Sequence, residues 1–361
     1  MKRVMILTAE RTGTGHKSAA NAIEKKLNSL GYETKQIDCF SMMNKLGRLL
    51  ENIYIPLTTT FPFAFYIPYV FSQAFPNAIH SMVYHKSHKM FKKEIDEFKP
   101  DLIISVHSMY TKTITRLIKK EKLNIPFYID VIDLVKPPHL WFDKDADMIF
   151  VPTEDIRQDY KNKGLDDSKL IVAGFPINEK IQRRNTPKVI NDKINILLVN
   201  PSVYTGKNVK YVKEVSKLNN VTINVICGKD KKMYNALMKK QESGEISKNV
   251  KVHSFVKNMN EFLEQSHILL TKAGPNMMLE GAKSATAIVV TGHIQGQENY
   301  NHEYVTKNDF GFRCENPNKI YKELEEFISS GKINECLKNV LHADCNNGTE
   351  IITDYISANI K

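Results

Sequence analysis

Leu269-Leu270-Thr271-Lys272-Ala273-Gly274-Pro275-Asn276-Met277-Met278-Leu279-Glu280-Gly281-Ala282 reads as a strand, a tight turn and a helix. Backbone N–H groups at a helix start point at whatever lies beyond it, and the helix dipole favours an anion there. A diphosphate can therefore dock on residues 274–277, with Glu280 about one turn in, on the face that can reach a ribose diol. The same letters also suit an ordinary strand-to-helix turn carrying a surface glutamate. One strand later, Thr291-Gly292-His293-Ile294-Gln295-Gly296-Gln297-Glu298-Asn299-Tyr300-Asn301 forms a loop dense in amide and carboxylate groups. Such groups match the hydroxyls of a hexose, which need paired donors and acceptors once desolvated.

Outward from this stretch the strand-then-helix unit repeats. Apolar or β-rich runs at residues 194–199, 221–226, 250–255, 268–271 and 287–291 alternate with helical stretches. A charged stretch poor in apolar residues, 178–193, precedes them and reads as an interdomain linker. An earlier series opens with a strand at 4–8, the turn Gly13-Thr14-Gly15-His16, and a helix over about 18–30 with Ala19, Ala20, Ile23 and Leu27 on one face. It continues through runs at 34–37, 102–106, 127–132, 148–151 and 170–172, with helices such as 111–120 and 154–163 between them. The pattern predicts an α/β chain of two Rossmann-like domains facing each other across a cleft, each with a parallel sheet covered on both faces. These are residues 1–177, for acceptor and membrane, and 194–340, for the nucleotide; residues 341–361 read as a C-terminal helix that can pack back on the first domain. Ligands of such sheets sit beyond the carboxyl ends of the strands.

With 361 residues, 42% hydrophobic and 25% charged, the chain can bury two ordinary cores and is neither disordered nor fibrous. Lys and Arg outnumber Asp and Glu by 51 to 40, a formal charge of +11 that favours membranes, nucleic acid or phosphorylated substrates. Cys39, Cys227, Cys314, Cys336 and Cys345 are odd in number and widely spaced, which argues against a disulfide framework or zinc cluster and for a reducing compartment. The apolar run at residues 4–7 is too short for a signal-peptide core or a membrane span. No H-E-x-x-H, Walker loop or paired-cysteine site occurs, and no metal site is predicted.

One segment breaks the rhythm. Residues 52–85 contain no Asp, Glu, Lys or Arg but crowd together aromatics that include Phe61, Phe63, Phe65, Phe71 and Phe75. Pro56, Pro62, Pro68 and Pro76 rule against one continuous spanning helix. Lys45 and Arg48 flank it before, and Lys86, Lys89, Lys92 and Lys93 after. This composition suits a surface that dips into the headgroups of an anionic bilayer, or short helices packed into the first domain's core.

Gly13-x-Gly15-His16, Gly174-Phe175-Pro176-Ile177, Cys227-Gly228-Lys229, Thr271-Lys272-Ala273-Gly274-Pro275, Glu280 and Gly296-Gln297-Glu298 with Asn301 follow in an ordered series. In this order the chain resembles the lipid glycosyltransferases of the monogalactosyldiacylglycerol synthase and processive diacylglycerol glucosyltransferase group, in glycosyltransferase family 28 with the GT-B fold. The resemblance runs from about residue 2 to residue 312. It implies an inverting hexosyltransferase that moves glucose or galactose from UDP-glucose or UDP-galactose to diacylglycerol or a glycosyl-diacylglycerol in glycolipid synthesis. It implies no cofactor, and a cytoplasmic protein peripheral on the anionic inner face of the cell membrane.

By the same resemblance Glu280 binds the ribose and the turn Ala273, Gly274, Pro275 meets the diphosphate, with Lys272 able to stabilise the leaving diphosphate and Asn276 in the same nucleotide-sugar site. Gln297 and Glu298 hold the sugar hydroxyls, Phe255 and Val256 border the uracil, and Gly228 belongs to the same nucleotide-sugar site. His16, beside Gly15 in the acceptor loop, and Asp133, in Ile132-Asp133-Leu134, are both candidates for the base that removes the acceptor proton. His107 and His139 fall in loops where they shape the acceptor site or simply pack. Phe61, Phe63 and Phe65 are the membrane-facing candidates. Asn200-Pro201-Ser202-Val203-Tyr204-Thr205-Gly206 and Asn276 depart from the family's glycine-rich pattern. A nucleotide-sugar-binding regulator or pseudoenzyme, or a transferase to another lipid acceptor, therefore stays open. Nucleic acid is not an expected partner, because no basic-aromatic recognition motif accompanies the charge.

Overall fold

A computed structural model describes residues 1–10, 14–59, 62–177, 180–200, 205–343 and 347–360. The chain divides into two compact units, Met1–Glu179 with Gln295–Gln297 and Asn346–Lys361, and Lys180–Ile294 with Glu298–Cys345.

The first unit opens with β1 (Arg3–Thr8), α1 (Thr14–Ser29) and β2 (Glu33–Asp38). The aromatic segment follows as α2 (Asn44–Thr59), α3 (Pro62–Ala74) and α4 (Pro76–Phe98). Then come β3 (Leu102–Ser105), α5 (Thr111–Glu121), β4 (Phe127–Asp130), β5 (Met148–Val151), α6 (Glu154–Asn162) and β6 (Leu170–Val172). The strands lie in the order β2-β1-β3-β4-β5-β6, every neighbouring pair parallel. Strands β3, β4 and β5 are buried along their whole length, which is why they read as unbroken apolar runs rather than alternations. From β1 the chain winds first to one side and then to the other, so the loops after β1 and β3 flank a topological switch point. His16 lies in the first turn of α1, which starts at Thr14, and not in a loop ahead of the helix.

Prolines divide the aromatic segment as their chemistry dictates. Pro62 and Pro76 begin helices, where the missing N–H would be unpaired in any case, while Pro68 lies inside α3. On α4, His80, Val83, Tyr84, Ser87, Phe91 and Ile95 are buried, a helical stripe turned to the core. On α3 the apolar residues Tyr66, Ile67, Val70 and Phe71 are exposed, and so is Phe75 just beyond its end. No helix among the described residues is long and apolar enough to cross a membrane.

The second unit runs β7 (Ile194–Val199), α7 (Thr205–Val215), β8 (Val221–Ile226), α8 (Lys231–Glu242), β9 (Val250–His253) and α9 (Met259–Gln265). It continues with β10 (Ile268–Lys272), α10 (Pro275–Lys283), β11 (Ala287–Gly292), α11 (His302–Thr306), β12 (Gly311–Arg313), α12 (Ile320–Ser329) and α13 (Lys332–Asn339). Strand order is β12-β11-β10-β7-β8-β9, all parallel, with the switch point between β7 and β10. Ile196, Leu198, Ile223, Val225, Ile268 and Leu270 form the core on one face, and Leu197, Val199, Ile226 and Leu269 on the other. Each such side chain contributes about 1.5–3 kcal/mol by leaving water. The edge strand β12, only Gly-Phe-Arg, carries too short a pattern to be read from sequence. In the charged stretch before β7, Lys188 is buried and donates to the Leu263 and Ser266 carbonyls and the Thr286 hydroxyl at 2.6, 2.6 and 2.7 Å, fastening that stretch to the second unit.

The last helix, α14 (Gly348–Asn359), belongs to the first unit. Asn347 pairs with Phe175 in a parallel bridge, and Tyr355 packs against Tyr128 and Phe150 with ring centroids 5.7 and 5.6 Å away. Only glycine fits at 348, since a Cβ there would stand 2.5 Å from the Phe175 carbonyl carbon.

Candidate functional site

The first unit's switch point brings His16 and His107 side by side, their ring centroids 4.5 Å apart. His16 Nδ1 lies 2.7 Å from the Val106 carbonyl oxygen, which can only accept, so Nδ1 carries the proton. Burial lowers the pKa of His16 and outweighs that hydrogen bond, leaving the ring neutral near pH 7. Its Nε2 then holds a lone pair able to take a proton from a hydroxyl. His107 has the opposite tautomer: the Met109 N–H donates to its Nδ1 at 3.3 Å, so Nε2 carries the hydrogen. Burial first, and then the neighbouring His16, hold His107 well below the usual imidazole range. Phe40 and Tyr110 pack around His107 at centroid distances of 5.5 and 5.6 Å.

Asp133 is buried just past β4 and accepts from Trp141 Nε1 at 2.6 Å, so the indole fixes this carboxylate. Asp130, at the end of β4, is fully buried with neither oxygen partnered among the described residues, and burial pushes its pKa well up. Gly15 lies half-buried in the first turn of α1. His139 is exposed and tied to the end of α3, its backbone N–H and ring Nδ1–H donating to Oε1 and the carbonyl of Gln73, each at 3.0 Å. Phe61 lies outside the described residues, as do the side chains of Phe63 and Phe65.

In the second unit, β10 ends in the turn from Lys272 to Pro275, beside the switch point. Gly274 is the N-cap of α10 and has no side chain to cap it, and Pro275 has no N–H. The N–H groups of Asn276 and Met277 are therefore the helix's open donors. Asn276 Nδ2 is buried with no partner among the described residues, a further donor at the same end. A Cβ on Gly274 would stand 3.1 Å from Lys272 Nζ, so glycine keeps this turn clear. Lys272 pairs with Glu298 Oε1, while Glu298 Oε2 accepts the Ile294 N–H at 2.7 Å. Asn301 Nδ2 donates to the Ala273 carbonyl at 3.0 Å, joining the loop after β11 to the turn after β10. Asn301 stands in the ordered motif series, but its burial and its bond to a turn 28 residues away become visible only in three dimensions.

Glu280 lies half-buried in the second turn of α10. Gly228 follows β8 at φ +58, a conformation glycine adopts without strain. Phe255, after β9, is exposed, and Val256 packs half-buried on the core face that includes Leu269. Gln297 clusters with the first unit, where its Oε1 accepts from the Tyr54 hydroxyl at 3.3 Å. Residues 201–204 of the departing loop lie outside the described residues.

Two Rossmann-like units, each carrying polar groups at its switch point, are the frame of a GT-B glycosyltransferase. Residues 16–177 match the family model for monogalactosyldiacylglycerol (MGDG) synthase, and residues 180–340 match that for glycosyl transferases group 1. The chain is 25% identical over 358 residues to monogalactosyldiacylglycerol synthase 1, chloroplastic, of Arabidopsis thaliana, with 91% of this chain aligned. It spans 65%, just under two thirds, of that plant protein's length. To the processive diacylglycerol beta-glucosyltransferase of Bacillus mycoides (strain KBAB4) it is 22% identical over 353 residues, covering 94% of this chain and 89% of the other. Among solved structures, Acinetobacter baumannii MurG superposes with a TM-score of 0.66 at 15% identity, over 99% of this chain and 100% of MurG. The chain is a GT-B glycosyltransferase. Over most of its length it is similar to monogalactosyldiacylglycerol synthases and diacylglycerol glucosyltransferases.

Proposed function

We propose that the protein moves glucose or galactose from a UDP-sugar to the hydroxyl of diacylglycerol, or of a glycosyl-diacylglycerol, with inversion at the anomeric carbon. The start of α10 carries this reading: open N–H groups at Asn276 and Met277 and the unpartnered Asn276 amide form a donor set suited to phosphate oxygens. These donors, with Lys272, stabilise the diphosphate as its bond to the anomeric carbon breaks. Glu280 suits the ribose diol, Gln297 and Glu298 the sugar hydroxyls, and Gly228, Phe255 and Val256 the uracil.

In the first unit, His16 Nε2 takes the acceptor's proton while the acceptor oxygen bonds the anomeric carbon. Asp133, fixed by Trp141, acts as a positioning group. The relatives' names, monogalactosyldiacylglycerol synthase and diacylglycerol beta-glucosyltransferase, support diacylglycerol as acceptor. The exposed apolar side of α3 supports work at a membrane surface, which we place on the cytoplasmic leaflet of the cell membrane.

Labelled UDP-glucose and UDP-galactose, offered separately with diacylglycerol liposomes, test the proposal. One donor should give lipid-linked label of inverted configuration with an equal release of UDP. Tight UDP-sugar binding with neither labelled lipid nor released UDP would instead define a nucleotide-sugar-binding pseudoenzyme.

A further inference from the structure

The first unit holds a cavity of about 590 Å³ lined by none of the residues assigned above to donor or acceptor. It lies between α4, which contributes Asn77, His80 and Ser81, and α5, which contributes Lys112, Arg116 and Lys120. Those three cations stand four residues apart and form one stripe along the helix. Like charges at that spacing destabilise a helix. Lys112 is also in the first turn, where the dipole is already positive and no acidic residue stands. Among the described residues none of the three is ion-paired; at the rim, Asp145 is taken by Lys119 at 2.5 Å. Asp143 feels the charge of Lys112, but it is buried and hydrogen-bonded to Thr115.

The stripe is also held in place. Lys112 Nζ donates to Asn77 Oδ1 at 2.9 Å, and the Arg116 guanidinium lies over the Tyr84 ring, 4.2 Å from its centroid. Burial, and then Lys112, pull the pKa of His80 down to about 4, so its ring is neutral at pH 7 and adds hydrogen-bonding capacity without charge.

We infer that this cavity binds a phosphate group, that of an anionic glycerophospholipid headgroup. A positioned guanidinium fork beside an ammonium matches phosphate oxygens in geometry and charge. Phe75, the exposed N-cap of α4, lies two residues before Asn77, and its ring packs 5.0 Å from that of the exposed Phe71, so apolar surface for acyl chains adjoins the basic cavity. The inference does not depend on sugar transfer, and its test contains no sugar donor.

Sedimentation with phosphatidylcholine vesicles, with and without phosphatidylglycerol, compares the full-length wild type with two double variants. Lys112→Gln with Arg116→Gln empties the cavity of two cations; Lys231→Gln with Lys232→Gln removes the same charge from exposed positions at the start of α8, in the second unit. The cavity variant should bind phosphatidylglycerol vesicles at least about tenfold more weakly than wild type, and the control less than about threefold. Equal losses, or no loss in the cavity variant, would overturn the site in favour of diffuse attraction. If melting curves show the double variant unfolded, Arg116→Lys takes its place: it keeps the charge but removes the fork, and unchanged binding would then overturn the proposal. Calorimetry with glycerol 3-phosphate separates the two sources of phosphate. Binding of that soluble ligand, with vesicle binding insensitive to the cavity variant, would assign the cavity to a soluble phosphoanion and overturn the lipid assignment.

Discussion

At the scale of single residues, the two candidate bases differ in what already holds them. His16 keeps a lone pair on Nε2 because its other nitrogen is committed to Val106 and burial keeps the ring uncharged. Asp133 carries a short bond from Trp141, which makes it a fixed carboxylate. His16→Ala is therefore expected to lower kcat by about 100-fold or more with UDP-sugar affinity unchanged, since proton removal is felt only in the transition state. Asp133→Asn should lower it by less than about tenfold, the loss expected when a positioning contact loosens rather than a proton acceptor disappears. Single-turnover kinetics beside donor-binding calorimetry make the comparison, and the reverse ranking would transfer the role of base to Asp133. The histidine itself was legible from Gly13-x-Gly15-His16. Its tautomer was not, because the deciding carbonyl is 90 residues away.

At the scale of elements, the aromatic segment left two readings open, and the outer side of α3 favours the surface one. The residues that carry the argument are Ile67, Phe71 and Phe75, which are exposed, rather than Phe61, Phe63 and Phe65, which the structure leaves undescribed. Changing all three exposed residues to Ser should shift unfolding free energy by no more than about 1 kcal/mol, as expected where no core contact is lost. The same variant should bind vesicles at least about tenfold more weakly, because apolar burial in the bilayer is removed. A collapse of the melting temperature with vesicle binding intact would instead make α3 a packing element. Composition could identify the segment as apolar and proline-divided. Which side of α3 meets solvent depends on where α4 and the loop at His139 lie, and that is tertiary information.

For the whole molecule, buried histidines make stability depend on pH. His80 falls from 6.5 unfolded to about 4 folded, and His16 and His107 are lowered too. A group with a depressed folded pKa binds more protons when unfolded, so its contribution is complete above 6.5 and is lost as the pH falls from there towards 4. For His80 the loss amounts to roughly 3 kcal/mol over that window. Asp130 and Asp143, whose pKa values burial raises, act in the opposite direction, so the useful measurement is a difference. Urea unfolding of wild type and His80→Gln between pH 7.5 and 4.5 should show a shallower acid loss in the variant. Parallel curves would show that His80 titrates as it does in the unfolded chain.

The α/β class, the strand runs and the turn at Gly274-Pro275 are legible in the sequence, because each is a local pattern: apolar runs of strand length, helical periodicity, and residues suited to a turn. The sequence also carried the ordered motifs that point to lipid glycosyltransferases. Tertiary structure alone decided the strand order that places both switch points, the opposite tautomers of His16 and His107, and the bond from Asn301 to Ala273. The cations of α5 were visible four residues apart in the sequence. That they line one cavity depended on α4, more than 30 residues earlier in the chain, packing against them. Hydrogen bonds, burial and electrostatic fields act through space, and their distances are set by how the sheets and helices pack rather than by spacing along the chain.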